Sequence, residues 1–114
     1  MKHLILLGFM AATLTALAAV PEAREFNLTL AAGEVHEECM PLKLNDWSKY
    51  DWKSDEPVEF NIHFHRGSKI SYPLKKSPSK AQQGTFVAKS GEEYCWMWTA
   101  GKKPAKLEGT IKPS

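Results

Sequence analysis

The strongest constraint on the fold is a strict alternation of apolar and polar side chains between Val58 and His65. A period of two residues is typical of a strand that presents one face to a core and the other face outward. The face predicted to point inward holds Val58, Phe60, Ile62 and Phe64. The face predicted to point outward holds Glu59, Asn61, His63 and His65.

Short segments of the same kind occur along the rest of the chain and are separated by turn-forming residues. Further strands are predicted at 26–30, 34–44, 69–74, 84–89, 93–99 and 107–111. The polar segment from Lys75 to Gln83, which contains Pro78, is predicted to be an exposed loop. About seven short strands without a convincing helix predict an all-β fold, an antiparallel β-sandwich.

The size and charge of the chain limit its class. A chain of 114 residues and 12.8 kDa is sufficient for one domain, and hydrophobic residues at 43% predict that it folds. There are 15 basic and 13 acidic residues, which give a net charge of +2. Because proteins that bind nucleic acid electrostatically usually carry a basic face or stripe, this balance predicts no nucleic-acid partner.

The first 19 residues have the pattern of a secretory signal peptide. No charged residue occurs between Leu4 and Pro21, and Ala16-Leu17-Ala18 is a small-x-small pattern that suits signal peptidase. Cleavage near Ala18 or Ala19 would leave a domain of about residues 20–114 in the periplasm or outside the cell, with no stable membrane insertion. The alternative is an uncleaved membrane anchor, because the uncharged segment approaches the length of a bilayer span.

Cys39 and Cys95 are the only cysteines in the chain. In an oxidising compartment two cysteines are expected to pair, so the sequence predicts one structural disulfide. The alternative is a reactive or metal-binding pair. There is no Cys-x-x-Cys motif, so a thioredoxin-like redox site has no support.

Four segments resemble a known family in their order along the chain. They are Glu38-Cys39, Pro57–Ile62, Gly84–Ala88 and Gly91–Cys95. Together they resemble the GOLD (Golgi dynamics) domain, a compact β-sandwich of secretory-pathway cargo receptors and of other exported proteins. The resemblance implies a sandwich in which the two cysteines pair. Cargo receptors continue into a coiled coil and a transmembrane helix, so we expect this chain to be the free-standing, bacterial exported form.

A weaker similarity relates the segment from Gly91 to Ile111 to the last strands of the cupredoxin sandwich. A blue-copper site in that family needs a histidine, and usually a methionine, just after its cysteine. Here no histidine follows Cys95. The similarity therefore implies the sandwich and not the blue-copper centre.

His63 and His65 are candidate metal ligands. Two residues apart on a strand, they share a face, with Cα atoms about 6.5–7 Å apart. His36 would be a third nitrogen ligand and Met97 a thioether ligand, a combination that suits copper. The alternative is a plain solvated polar face, with Met97 packed in the core.

The same strand face is the centre of a predicted recognition surface. Its members are Asn61, His63 and His65, with Trp96, Met97 and Trp98 nearby. Aromatic side chains are common at binding sites. Because Trp96 and Trp98 share one face of their strand, the alternative is that both tryptophans fill the core.

The sequence contains no Gly-x-Ser-x-Gly, His-Glu-x-x-His or Gly-rich phosphate-binding motif. It therefore predicts a non-catalytic, exported binding domain without a cofactor, whose partner is another exported or membrane protein. The alternative function is a periplasmic copper-binding protein that uses His63, His65 and a methionine.

Overall fold

The computed structural model describes residues 20–114, which form six antiparallel strands. The predicted signal peptide, residues 1–19, lies outside the described residues. Within residues 20–114 no helix has the length and apolar character needed to cross a membrane. The strands are β1 (Arg24–Leu30), β2 (Val35–Leu42), β3 (Trp47–Arg66), β4 (Lys69–Val87), β5 (Glu92–Ala100) and β6 (Ala105–Pro113).

The long hairpin of β3 and β4 is the centre of the sheet. The strand order is β1-β6-β3-β5-β2, and β4 pairs with the opposite edge of β3. The first part of β3, Ser48–Ser54, pairs with β6. The second part, Val58–His63, pairs with β5. One strand therefore belongs to two half-sheets: the first contains β1 and β6, and the second contains β2 and β5.

The hairpin bends where the two half-sheets meet. Four residues separate Lys53 from Val58 on β3, whereas one residue separates their partners Ala81 and Ser79 on β4. Such a register shift bends a strand. Pro57 lies in this segment, and it has no backbone N–H to donate to a ladder. The bend folds the curled sheet over on itself into a sandwich.

Aromatic side chains fill the space between the half-sheets. Phe26 of β1 contacts Trp98 of β5 with ring centroids 4.7 Å apart, which joins the two outer parts of the sandwich. The largest fully buried side chains include Trp52, Trp96, Trp98, Tyr94 and Phe60. Rings of this size bury the most apolar area per residue, so they stabilise a small sandwich effectively.

The predicted fold class is confirmed: the described chain is all-β and antiparallel, with a sandwich-like arrangement. The number of strands is six instead of about seven, because the segments predicted at 69–74 and 84–89 are parts of one strand. The loop predicted from Lys75 to Gln83 is wrong for the same reason. Lysines and Pro78 are tolerated there because β4 is an edge strand, whose free side faces solvent.

The predicted disulfide between Cys39 and Cys95 is also confirmed. The two residues lie directly opposite each other on β2 and β5. The cysteines are 56 residues apart in sequence. In the chain-entropy model, a disulfide that closes a loop of this size stabilises the folded protein by about 4 kcal/mol, because it lowers the entropy of the unfolded chain. The bond fastens the edge strand β2 to the centre of the second half-sheet.

Gly109 of β6 is expected to resist substitution. A Cβ atom at this position would lie 2.7 Å from the Asp51 carbonyl oxygen and 2.8 Å from Phe26 Cζ. We expect Gly109→Ala to lower the free energy of unfolding by about 1–3 kcal/mol, because the neighbouring strand and ring must move. Urea denaturation measures this change. Gly91→Ala is the matched control, since its nearest neighbour would be 3.9 Å away. Equal losses in the two variants would contradict the packing described for β6.

Candidate functional site

The outward surface of the second half-sheet is the candidate site, and we call it the His63 face. It consists of Glu37 on β2, Met97 on β5, Asn61, His63 and His65 on β3, and Tyr72 on β4. The ladder aligns these residues. Asn61 lies opposite Met97, and Met97 lies opposite Glu37. On the next row, His63 lies opposite Cys95 of the disulfide.

His63 is buried although it points away from the core, with only 4% of its surface exposed. Its Nδ1 atom lies 2.7 Å from the Asn61 side-chain oxygen Oδ1. An amide oxygen only accepts hydrogen bonds, so Nδ1 carries the proton and donates it. Asn61 therefore fixes both the orientation of the imidazole and the nitrogen that is protonated.

The other nitrogen of His63 faces a carboxylate. His63 Nε2 lies 3.2 Å from Glu37 Oε1. Burial lowers the pKa of His63 from its ordinary value, and the neighbouring His65 adds to this effect, whereas Glu37 opposes it. In the neutral imidazole the Nε2 lone pair points at the carboxylate oxygen. In that form the contact joins two acceptors, which a cation between them would bridge, whereas a proton on Nε2 turns it into a charged hydrogen bond to Glu37.

Exposed side chains surround this buried polar group. The ring of His65 lies 5.3 Å from that of His63, and the ring of Tyr72 lies 5.8 Å from it. Tyr72 and Ile70 are each nearly half exposed, and Ile70 lies opposite His65 on the hairpin. The Lys75 ammonium lies 5.2 Å from the Tyr72 ring centroid. Together with its neighbours Ile70 and Lys75, the His63 face therefore presents aromatic, aliphatic and cationic groups to solvent.

The tryptophans predicted for the recognition surface are not on it. Trp96 and Trp98 are fully buried in the core, on the opposite face of β5 from Cys95 and Met97. The strand buries its large rings because only the inward face meets the other half-sheet. The structure therefore corrects the expectation that Trp96 and Trp98 form an exposed aromatic pair. It places Asn61, His63, His65 and Met97 together.

The predicted copper ligands are divided between the two faces of the sheet. His36 stacks on Trp98 at 5.9 Å, on the face that looks into the sandwich, so it lies away from His63. Its Nε2 atom is 3.1 Å from Glu38 Oε1. Within residues 20–114, the clusters of three or more His, Cys, Asp or Glu donor atoms include His63 but neither His36 nor His65. A set of His36, His63 and His65 therefore does not converge.

Two members of the His63 face did not come from the sequence analysis. Tyr72 was detectable, because a turn at Gly67-Ser68 pairs His65 with Ile70, and extension of that register places Tyr72 opposite His63. Glu37 reaches His63 across an intervening strand. No local pattern in the sequence indicates a contact of that kind.

Comparison with solved structures supports the fold, whereas comparison of the sequence finds no relative. No protein-family model matches the sequence, and no curated protein matches it either. The chain is similar in structure to PliG of Aeromonas hydrophila, a periplasmic lysozyme inhibitor of g-type lysozyme. The TM-score is 0.59 at 8% identity, over 85% of this chain and 89% of that chain.

A second similar structure is the Yersinia pseudotuberculosis-derived mitogen YPM. Its TM-score is 0.54 at 12% identity, over 82% of this chain and 86% of that chain. At such identities the likeness shows the fold alone. The same small all-β architecture therefore occurs in a lysozyme inhibitor and in a mitogen, so the fold by itself does not indicate a function.

The hydrogen bond from His63 to Asn61 is expected to stabilise the fold. We expect Asn61→Ala to lower the free energy of unfolding by about 1–3 kcal/mol, because it leaves a buried imidazole N–H without its acceptor. Asn27→Ala, which removes an exposed amide on β1, is the matched control and should change stability by less than about 0.5 kcal/mol. Urea denaturation measures both.

Nitrogen NMR of the imidazole provides an independent check on this bond. The neutral wild-type side chain should carry its proton on Nδ1, and Asn61→Ala should weaken that preference. A proton on Nε2 in the wild-type protein would contradict the arrangement.

Proposed function

We propose that this protein is an exported, non-catalytic domain that binds another protein through the His63 face. The observation that supports this function best is the group of exposed Tyr72, Ile70 and His65 side chains around the buried Asn61–His63 pair. Tyrosine and other side chains with both apolar and polar parts are enriched at protein interfaces. A rigid sheet presents them without a large entropic cost.

Export is supported by the disulfide, because disulfides persist in oxidising compartments. The description of PliG as periplasmic is consistent with this. The signal peptide and its cleavage after residue 19 stay predictions. The periplasm or the cell exterior is therefore the proposed location.

A protein partner is supported by the description of PliG as a lysozyme inhibitor, which also agrees with a non-catalytic role. We propose a lysozyme of the g type as the first partner to test. The resemblance to the GOLD domain stays a prediction and supports the same general role. Copper binding also stays a prediction, and it would have to use His63, His65 and Met97 without His36.

Binding to a g-type lysozyme tests this function directly. The protein is expressed from the full chain, recovered from the periplasm and titrated with lysozyme by calorimetry, and the hydrolysis of cell walls is measured in parallel. We expect saturable binding that weakens at least about tenfold in Tyr72→Ala, because truncation of a central aromatic side chain removes a large share of the binding energy. Inhibition of hydrolysis should weaken in the same proportion.

Trp47→Ala is the matched control. Trp47 is also exposed, but it lies at the start of β3, in the first half-sheet. It should leave binding unchanged. Binding that is lost in Trp47→Ala and kept in Tyr72→Ala would place the interface elsewhere. A failure of lysozymes of every type to bind would remove this partner class.

A further inference from the structure

The disulfide lies inside a cluster of metal-binding side chains. Donor atoms of Glu37, His63 and Cys95 all lie within 4.8 Å of one another. Cys39, whose sulfur is bonded to that of Cys95, belongs to a second such group with Glu93 and Cys95, and its sulfur is free to turn towards the first group once the disulfide is open. The cluster is assembled by three neighbouring strands of one sheet, β2, β5 and β3, so its geometry does not depend on a loop.

The imidazole in this cluster is already held in the form that binds metals. Asn61 Oδ1 accepts the Nδ1 proton of His63, which leaves the Nε2 lone pair free and points it towards Glu37. A hydrogen-bond acceptor on the far nitrogen is the arrangement that usually supports histidine ligands in metal sites. In this form of the imidazole, Nε2 and the Glu37 carboxylate are two acceptors that face each other, and a positive ion would bridge them.

We propose that, when the Cys39–Cys95 disulfide is reduced, the two thiolates bind one Zn²⁺ ion together with His63 Nε2 and the Glu37 carboxylate. Two sulfurs, one imidazole nitrogen and one carboxylate oxygen are the donor types that zinc takes in its tetrahedral sites. The mixed donor set favours zinc over magnesium or calcium, which prefer oxygen alone. The oxidised protein offers only His63 and Glu37, so it should bind zinc much more weakly.

Each step of the change is balanced. A phosphine reductant and one water convert the disulfide to two thiols, and the phosphine becomes its oxide. Zinc binding then displaces one proton from each thiol, because the thiolate is the ligand. Removal of zinc in the presence of an oxidant restores the disulfide. Zinc and disulfide formation therefore compete for the same two sulfurs.

Cobalt and zinc titrations test this site on the protein expressed from the full chain. After reduction with a phosphine, Co²⁺ should give the visible absorption of a tetrahedral ion and the near-ultraviolet band of thiolate ligation, at one ion per chain. Zn²⁺ should displace cobalt and raise the melting temperature of the reduced protein, because the ion binds the folded form. The oxidised protein should show neither the cobalt spectrum nor the shift.

Variants identify the ligands. Glu37→Gln keeps the shape of a partly exposed side chain, and His63→Gln keeps a polar group in the buried position. Each should weaken zinc binding by at least about 100-fold, because even changes outside the ligand set cost about 10–100-fold. His65→Ala and Glu93→Gln are matched controls, a neighbouring histidine and the other carboxylate near the cysteines, and should bind as the wild type does.

Four results would overturn the proposal. The first is a reduced protein that binds no cobalt, and the second is an octahedral spectrum without thiolate absorption. The third is wild-type zinc affinity in both Glu37→Gln and His63→Gln. The fourth is a reduced chain that unfolds and is not refolded by Zn²⁺, because the binding free energy of a real site would be recovered as folding free energy.

Discussion

The contact between Trp52 and Phe60 holds the sandwich together at its bend. The two rings belong to one strand, on opposite sides of the register shift, and their centroids lie 5.2 Å apart. Both rings also contact Trp98 of β5, at 6.3 Å and 5.4 Å. Because β5 and β6 pair with successive parts of the same edge of β3, a straight β3 would give a flat sheet with both faces in water. Packing of these three rings stabilises the bent form.

The bend determines which side chains of β3 face outward and can form the candidate site. Once Phe60 and Ile62 face the core, Asn61 and His63 must face outward, since neighbouring side chains on a strand alternate. The disulfide then acts on the same outward side. It joins Cys39 to Cys95 within the β2–β5 ladder, and the same ladder brings Glu37, two residues away, close to His63. The disulfide therefore reinforces a register that the β2–β5 ladder also holds, so the geometry of the site does not rest on the cross-link alone.

Much of this arrangement was predictable from local pattern. Alternation between Val58 and Phe64 identified the central strand and its inward face, and two cysteines in a chain predicted to be exported identified the cross-link. Alternation was insufficient for β5, because it shows which side chains share a face but not which face points to the core. It placed Trp96 and Trp98 on one face of β5 without deciding which face meets the core.

Other features depend on tertiary contacts that no local pattern contains. The polar segment from Lys75 to Gln83 reads as a loop, and it becomes a strand only because β3 supplies a partner along its length. His63 reads as a solvated histidine. It is buried because Tyr72 and Glu37 approach it from β4 and β2. The β3 residues of the candidate site could therefore be named from the sequence, but the burial of His63 and its contacts could not.

The polar group at the centre of the His63 face is poorly explained by stability alone. An aliphatic side chain at position 63 would bury apolar surface at no polar cost, whereas a buried imidazole needs a partner for each nitrogen. Asn61 accepts the proton of Nδ1, but in the neutral imidazole the Nε2 atom is an acceptor and faces another acceptor, the Glu37 carboxylate. Local conflicts of this kind are expected where a protein keeps a group for its chemistry. The groups in this conflict, the Nε2 lone pair of His63 and the Glu37 carboxylate beside the disulfide, attract a cation and repel an anion. A protein partner that docks on this face would therefore gain most by placing a positive group against Glu37.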